Sequence, residues 1–296
     1  MNRFHSVFQC CTVLTASLFL GISSPAVVQA ASVRTPAASG TVTYGNDKAS
    51  IDASHTSDGY VMIKYTGSNS KVKIRISKDT EYTYDIRNTG GYVTFPLSEG
   101  SGTYLIKLYE NVSGTSYAQA VSQTIQANIA DGTLPFLYPN QFCNFNASSA
   151  VVATSDTVTA GISDPLKKVA AVYDYTVNNI SYDNQKAASV QSGYLPDVDA
   201  TLRSKNGICF DYAALMTSML RCQGVPTKLV IGYSGDVYHA WVNVYVQGQG
   251  WIDNVIYFDG TDWKLMDPTF ASTGKGNASV QSYIANPANY RAKFSY

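Results

Sequence analysis

A cysteine at the start of what reads as a fully buried helix restricts this chain more than any other feature. Residues 206–222 run Asn-Gly-Ile-Cys-Phe-Asp-Tyr-Ala-Ala-Leu-Met-Thr-Ser-Met-Leu-Arg-Cys. Gly207 breaks the backbone, helix formers follow at once, and Gly224 and Pro226 supply a stop. Leu215, Met216, Met219 and Leu220 leave little polar face, so the helix is expected to be buried and rigid. Cys209 falls in its first turn, where unpaired N–H groups and the positive dipole end favour a thiolate. From the helix alone, inert core cysteine is the commoner reading.

A cysteine nucleophile needs a base, and the base needs an orienting partner. The chain has three histidines: His5, His55 and His239. His5 falls in an N-terminal targeting segment and His55 in a separate β-rich region, where it reads as a solvated surface residue. His239 is the remaining base. It opens His-Ala-Trp-Val-Asn-Val-Tyr-Val, which alternates strictly, with Ala240, Val242, Val244 and Val246 on one face and His239, Trp241, Asn243 and Tyr245 on the other. Trp263-Lys-Leu-Met-Asp267-Pro-Thr reads as a strand ending in a carboxylate. Antiparallel pairing of these two strands would bring His239 beside Asp267.

These residues resemble the transglutaminase-like superfamily. The resemblance rests on Gly-x-Cys-x-Asp-Tyr-Ala opening the helix, Gly-Val-Pro after it, Gly232-Tyr233, His-Ala-Trp and Trp-x-x-x-Asp-Pro-Thr, in that order, and covers about 164–271. It implies a papain-like Cys–His–Asp triad of Cys209, His239 and Asp267. One departure is an extra segment from Gly248 to Asp262, which contains Asp253, a rival for the third position that lacks the following Pro-Thr. Tyr182 and Trp241 are candidate side-chain donors to the oxyanion, beside the Cys209 backbone N–H.

The first thirty residues carry Arg3, an apolar run from Val13 to Ile22, and Val28-Gln-Ala30. That pattern is a secretory signal peptide with cleavage expected after Ala30, giving a secreted, extracellular protein with no membrane span. Beyond it, 21 − 1 = 20 basic residues face 21 acidic ones with no basic cluster, so no nucleic-acid partner is expected. Cys143, Cys209 and Cys222 remain: either a Cys143–Cys222 disulfide with Cys209 free, or three free thiols.

Residues 31–40 read as a flexible leader. Residues 41–130 contain short alternating strands, Val72-Lys-Ile-Arg-Ile being the clearest, which suggest an immunoglobulin-like β-sandwich. Its tyrosines read as ordinary filling, with a sugar- or protein-binding face as the alternative. Residues 131–163 form a connector whose Leu134-Pro-Phe-Leu-Tyr138 packs onto a domain, and 164–296 form the catalytic domain. There Asp164-Pro165 starts a helix, and the stretch from Tyr182 to Thr201 is expected to wall the site.

Asp197-x-Asp199 and Asp259-x-x-Asp262 lack calcium-loop spacing, so neither metal nor other cofactor is expected. The fold class is α+β, and a chain starting near Asp131 is expected to work alone. The function read from these features is acyl transfer on protein or peptide amides, at a cell surface, through a thioester. An amine acceptor makes the enzyme a transglutaminase, and water makes it a protease or amidase. The alternative is a non-catalytic extracellular binding or adhesion protein built on the same fold.

Overall fold

The computed structural model describes residues 33–86, 90–253, 256–258, 263–265, 269, 272, 277–279, 282 and 286–296. The signal peptide expected over 1–30 lies outside them, as do Asp259, Asp262 and Asp267.

Residues 43–127 fold into two antiparallel four-stranded sheets. The first takes β1 (Thr43–Gly45), β2 (Ala49–Asp52), β3 (Tyr60–Tyr65) and β6 (Val93–Pro96) in that order. The second runs β5 (Glu81–Ile86), β4 (Val72–Ser77), β7 (Gly102–Ser113) and β8 (Ser116–Ala127). Period-two alternation explains them: in β4, Val72, Ile74 and Ile76 are buried while Lys73 and Arg75 are not. Ile51, Ile63 and Phe95 of one sheet share a core with Ile74, Tyr84 and Ile106 of the other. Tyr60, Tyr65, Tyr82, Tyr84 and Tyr104 are buried, so these tyrosines serve as filling.

Residues 33–40 lie against this region: Ala37 N donates to Tyr60 Oη at 3.1 Å, and Gly40 N to Asp52 Oδ2 at 2.7 Å. His55 is half-buried rather than solvated. Its Nδ1 meets Asp58 Oδ2 at 3.0 Å, its Nε2 meets Ser39 Oγ, and its ring stacks on Tyr60.

The second region is α+β. Helices α1 (Ala150–Val158), α2 (Pro165–Asn179), α3 (Asn184–Ser189) and α4 (Val198–Ser204) precede α5 (Cys209–Cys222), and two short strands, β9 (Ser181–Tyr182) and β10 (Asn206–Gly207), pair in parallel before α5. The sheet that follows has the order β13 (Gly250–Ile252), β12 (Val237–Val246), β11 (Thr227–Ser234), β16 (Tyr290–Ser295). Helix α5 lies on β11 and β12, enclosed on its other sides by α1, α2 and α4. Every residue from Asp211 to Cys222 is buried, as the apolar run predicts. Helix α2 begins where Asp164 and Pro165 place it, the Asp164 carboxylate accepting from Leu166 N and Lys167 N. Helix α1, which the Ser/Thr/Ala composition of the connector disguises, is capped from a distance: Asp199 accepts from Ala150 N and Val151 N.

The strand pairing expected for the carboxylate strand is not the one observed. β15 (Trp263–Leu265) pairs with β14 (Ile256–Phe258) in a sheet of its own. The neighbour of β12 on that side is β13, which closes a tight hairpin and pairs only Val244, Tyr245 and Val246. The short loop between β12 and β13 makes their pairing local, at little closure entropy, so the inserted Gly250-Trp-Ile occupies that edge.

At the end of α5, Gly224 adopts a left-handed φ of 75°. Gly224 N bonds Arg221 O and Val225 N bonds Leu220 O, a Schellman stop. Arg221 of the last turn, fully buried, ties other segments to the helix end. Its Nε and Nη2 donate to Thr227 O, Nη2 also to Tyr296 O, and Nη1 to Tyr138 O and Cys143 Sγ. A cation at a helix C-terminus is favoured by the dipole, but burying one without a carboxylate succeeds only because carbonyls take its protons. Arg221→Met keeps the volume and removes the donors. Its unfolding midpoint should fall by the equivalent of about 1–3 kcal/mol for each buried carbonyl left without a donor, with an unchanged denaturant slope; an unchanged midpoint would mean that these hydrogen bonds do not hold the segments in place.

Candidate active site

The entrance to α5 is built by Asp211. This carboxylate, fully buried, reaches back one turn so that Oδ2 accepts from Ile208 N at 2.8 Å. Lys186 Nζ meets the same oxygen at 2.6 Å, and Tyr194 Oη donates to Oδ1 at 2.5 Å. Gly207 makes the approach possible, since a Cβ there would lie 2.6 Å from Asp211 Cβ. The strand β10 that carries Gly207 is registered on β9, placing Tyr182 opposite Gly207. Tyr212 Oη anchors the next turn on Ile180 O at 2.7 Å. Cys209 is therefore held on a helix end fixed from three directions, its thiol half-buried.

Cys209 and His239 line one cavity of about 700 Å³. His239, 5% exposed, sits opposite Gly232 near the start of β12. The stretch Val190–Leu195, inside the segment expected to wall the site, lines the cavity too, as do Tyr182 and Tyr194. Thr83 and Asp85 of β5 also line it, so the N-terminal sheets supply part of the wall. They are tied there by rings: Tyr84 contacts Phe142 at 5.7 Å, and Phe142 contacts Phe210, the residue after Cys209, at 5.4 Å. Tyr82 and Tyr84 both meet Tyr296 edge-on. This packing counts against a catalytic region that stands alone from Asp131.

The two oxyanion candidates part company. Tyr182 lines the cavity, whereas Trp241 does not. The Trp241 indole is buried, stacked on His239 at 6.3 Å and edge-on to Tyr290 at 5.3 Å. Asp253 accepts from Asn243 Nδ2 at 3.0 Å. Asn243 lies four residues beyond His239 on β12, about 13 Å along an extended strand. Asp267 lies outside the described residues. Asp211, Lys186 and Tyr194 were not picked out as a unit from the sequence; Asp211 three residues after Ile208 at a helix start was the available signal.

All three cysteines of the described residues are free, so the Cys143–Cys222 bridge does not form. Cys143 Sγ faces Arg221, and Cys222 Sγ donates to Met219 O. Burial pushes the Cys222 thiol up to about 11 and raises Cys143 as well, against the opposing pull of Arg221. At neutral pH an alkylating reagent should modify Cys209 alone in the folded protein, and all three thiols after denaturation; native labelling of Cys222 would contradict this burial. The neutral Cys222 thiol contributes stability in full below the ordinary thiol value. That contribution declines as pH rises from there towards about 11.

The family model for the transglutaminase-like superfamily matches residues 152–254. That span contains Cys209 and His239 and ends before Asp267. The protein YebA of Bacillus subtilis (strain 168) is 26% identical over 200 residues, covering 60% of this chain and 25% of its own length. The kyphoscoliosis peptidase of Mus musculus is 29% identical over 130 residues, covering 40% of this chain and 17% of that protein. The chain thus spans a quarter or less of the length of these two relatives. The solved periplasmic domain of TgpA from Pseudomonas aeruginosa is similar at a TM-score of 0.37 and 15% identity, over 83% of this chain and 80% of that one. The motifs around Cys209 and His239 lie inside the matched span, and residues 152–254 are similar to the transglutaminase-like superfamily.

Proposed function

We propose that the protein is a cysteine-dependent acyl-transfer enzyme acting on peptide or protein amides. The observation that carries this reading is the shared cavity of Cys209 and His239, with the cysteine in the first turn of a fixed, buried helix. The Cys209 thiolate attacks the amide carbonyl carbon after its proton passes to His239. The tetrahedral oxyanion is met by the Cys209 backbone N–H, one of the helical N–H groups that have no partner one turn earlier. Tyr182 is the favoured second donor. Collapse expels the amine, which takes the proton back from His239, and leaves a thioester. An amine or water then attacks the thioester and restores the thiol.

Asp267 is assigned to orient His239. Asp253 is directed at Asn243, and β13 pairs only residues 244–246 of β12, leaving the His239 end of that edge to another segment. The N-terminal sheets are read as an immunoglobulin-like sandwich that completes one cleft wall, and secretion follows the signal-like N-terminus. Among the described residues no helix is long and apolar enough to cross a membrane. The competing reading is a binding protein that uses the fold as scaffold, which the presence of both a thiol and an imidazole in the cleft disfavours.

Iodoacetamide labelling of Cys209 separates the two. The enzyme reading expects rapid labelling at neutral pH that is lost in His239→Ala. Slow labelling that is unchanged in His239→Ala would support the scaffold. Mass spectrometry of surface proteins after incubation then distinguishes new isopeptide bonds from new chain ends.

The third residue is tested by two substitutions assayed on one small amide. Asp267→Asn should lower turnover by about 10⁴-fold, the scale of losing the correct imidazole tautomer. Asp253→Asn should leave the chemical step nearly unchanged. The reverse outcome would move the orienting role to the inserted segment.

A further inference from the structure

Single exposed apolar side chains are ordinary, but several gathered around one cavity mark a contact surface. Among the described residues from 131 onward, the large hydrophobic side chains that stay exposed are Val190 (38%), Val237 (63%) and Tyr238 (56%). All three line the Cys209 cavity. They come from separate elements, Val190 from the end of α3 and the other two from the start of β12. Ile208, Phe210, Ile231, Phe294 and Tyr296, buried or half-buried, line the same cavity.

Both parts of this rim are held in place. Val190 N bonds Lys186 O at 2.8 Å. Tyr194, four residues further on, donates to Asp211 Oδ1 at 2.5 Å and accepts from Lys186 Nζ at 2.6 Å. Tyr238 pairs with Tyr233 across the β11–β12 hairpin, and their rings meet edge-on at 5.5 Å. A surface fixed in this way has little freedom to lose when a ligand covers it.

The polar lining narrows the choice of occupant. Asp85 is the one carboxylate among the described lining residues, and Lys73 Nζ already pairs with it at 2.7 Å. No lysine or arginine is among them. A charged substrate side chain would give up water there and meet no unpaired opposite charge. An aromatic or branched aliphatic side chain would instead cover Val190, Val237 and Tyr238 and remove apolar surface from water. Tyr238 directly precedes His239, so a peptide whose amide reaches the nucleophile passes the rim within a residue or two.

We propose that this rim selects a substrate with an aromatic or branched aliphatic side chain next to the amide that Cys209 attacks. The proposal deepens the acyl-transfer reading and rests on it for the position of the amide. Blocked peptides of the form Ala-X-X-Ala, with X as Phe, Leu, Ser, Asp or Lys, are titrated into the full chain carrying Cys209→Ala. Binding is then read without turnover. The Phe or Leu peptide should bind more tightly than the Ser, Asp and Lys peptides by about tenfold or more, the scale on which an apolar pocket discriminates. Tyr238→Ser and Val190→Ser, added to that chain, should each reduce the preference. Both positions are exposed, and if Tyr238→Ser nevertheless melts early, Val237→Ser takes its place. Equal binding of all five peptides, tighter binding of a charged one, binding of none, or a preference untouched by the variants would overturn the proposal. So would a dimer seen by sedimentation and lost in Tyr238→Ser, because a second copy would then cover the rim. Turnover of the same peptides by the unsubstituted chain reports on the acyl-transfer reading by itself. Selective binding without turnover keeps the rim and removes the chemistry, and turnover without selectivity does the reverse.

Discussion

A helix enclosed on all sides cannot leave its polar ends to water, and much of this structure follows from meeting that demand for α5. At the entrance Asp211 takes the Ile208 N–H and is itself neutralised by Lys186 and Tyr194. At the exit the turn at Gly224 closes the helix, and Arg221 gives its protons to the carbonyls of Tyr138, Thr227 and Tyr296 in three other segments. Exposed ion pairs contribute only up to about 1 kcal/mol, but a buried charge stripped of its partner costs about 3–5 kcal/mol. These two residues therefore dominate the polar energetics of the helix, although they form no pair with one another. Their partners fix the connector, β11, the segment around α3 and Tyr296 in one arrangement.

That arrangement turns a reactive residue type into a positioned one. Cys209 sits immediately after the point that Asp211 secures, and the β9–β10 pairing registers Tyr182 beside it. Cys143 and Cys222, in contrast, are placed where burial keeps their thiols protonated. Cys209 and Cys222 differ in position along α5: the first turn meets the cavity, and the last turn meets core.

The N-terminal sheets are joined to this machinery by side chains rather than by backbone pairing. Tyr82 and Tyr84 pack on Phe142, Phe294 and Tyr296, and Phe142 passes the contact on to Phe210. Each such ring pair adds about 0.5–1.5 kcal/mol beyond its buried area, so the joint is strong enough to hold Thr83 and Asp85 in the cleft wall.

Local pattern was enough to read several elements. The burial of α5, its stop at Gly224, the start of α2 at Asp164, and the alternation of β4 and β12 all come from residue types at fixed spacing, which act over one or two turns. The motifs around Cys209 and His239 were legible for the same reason. Other features were out of reach of any local pattern. The cap on α1 comes from Asp199, the receptors of Arg221 come from Tyr138, Thr227 and Tyr296, and His55 is held by Ser39 and Tyr60. The partner of β12 was misjudged because alternation tells which face a strand buries and says nothing of which strand lies beside it. The sequence by itself determined which helix is buried and where its thiol sits, because periodicity and residue type are local properties. Only the tertiary structure decided that two regions share one core and one cleft, because that depends on contacts between side chains far apart in the chain.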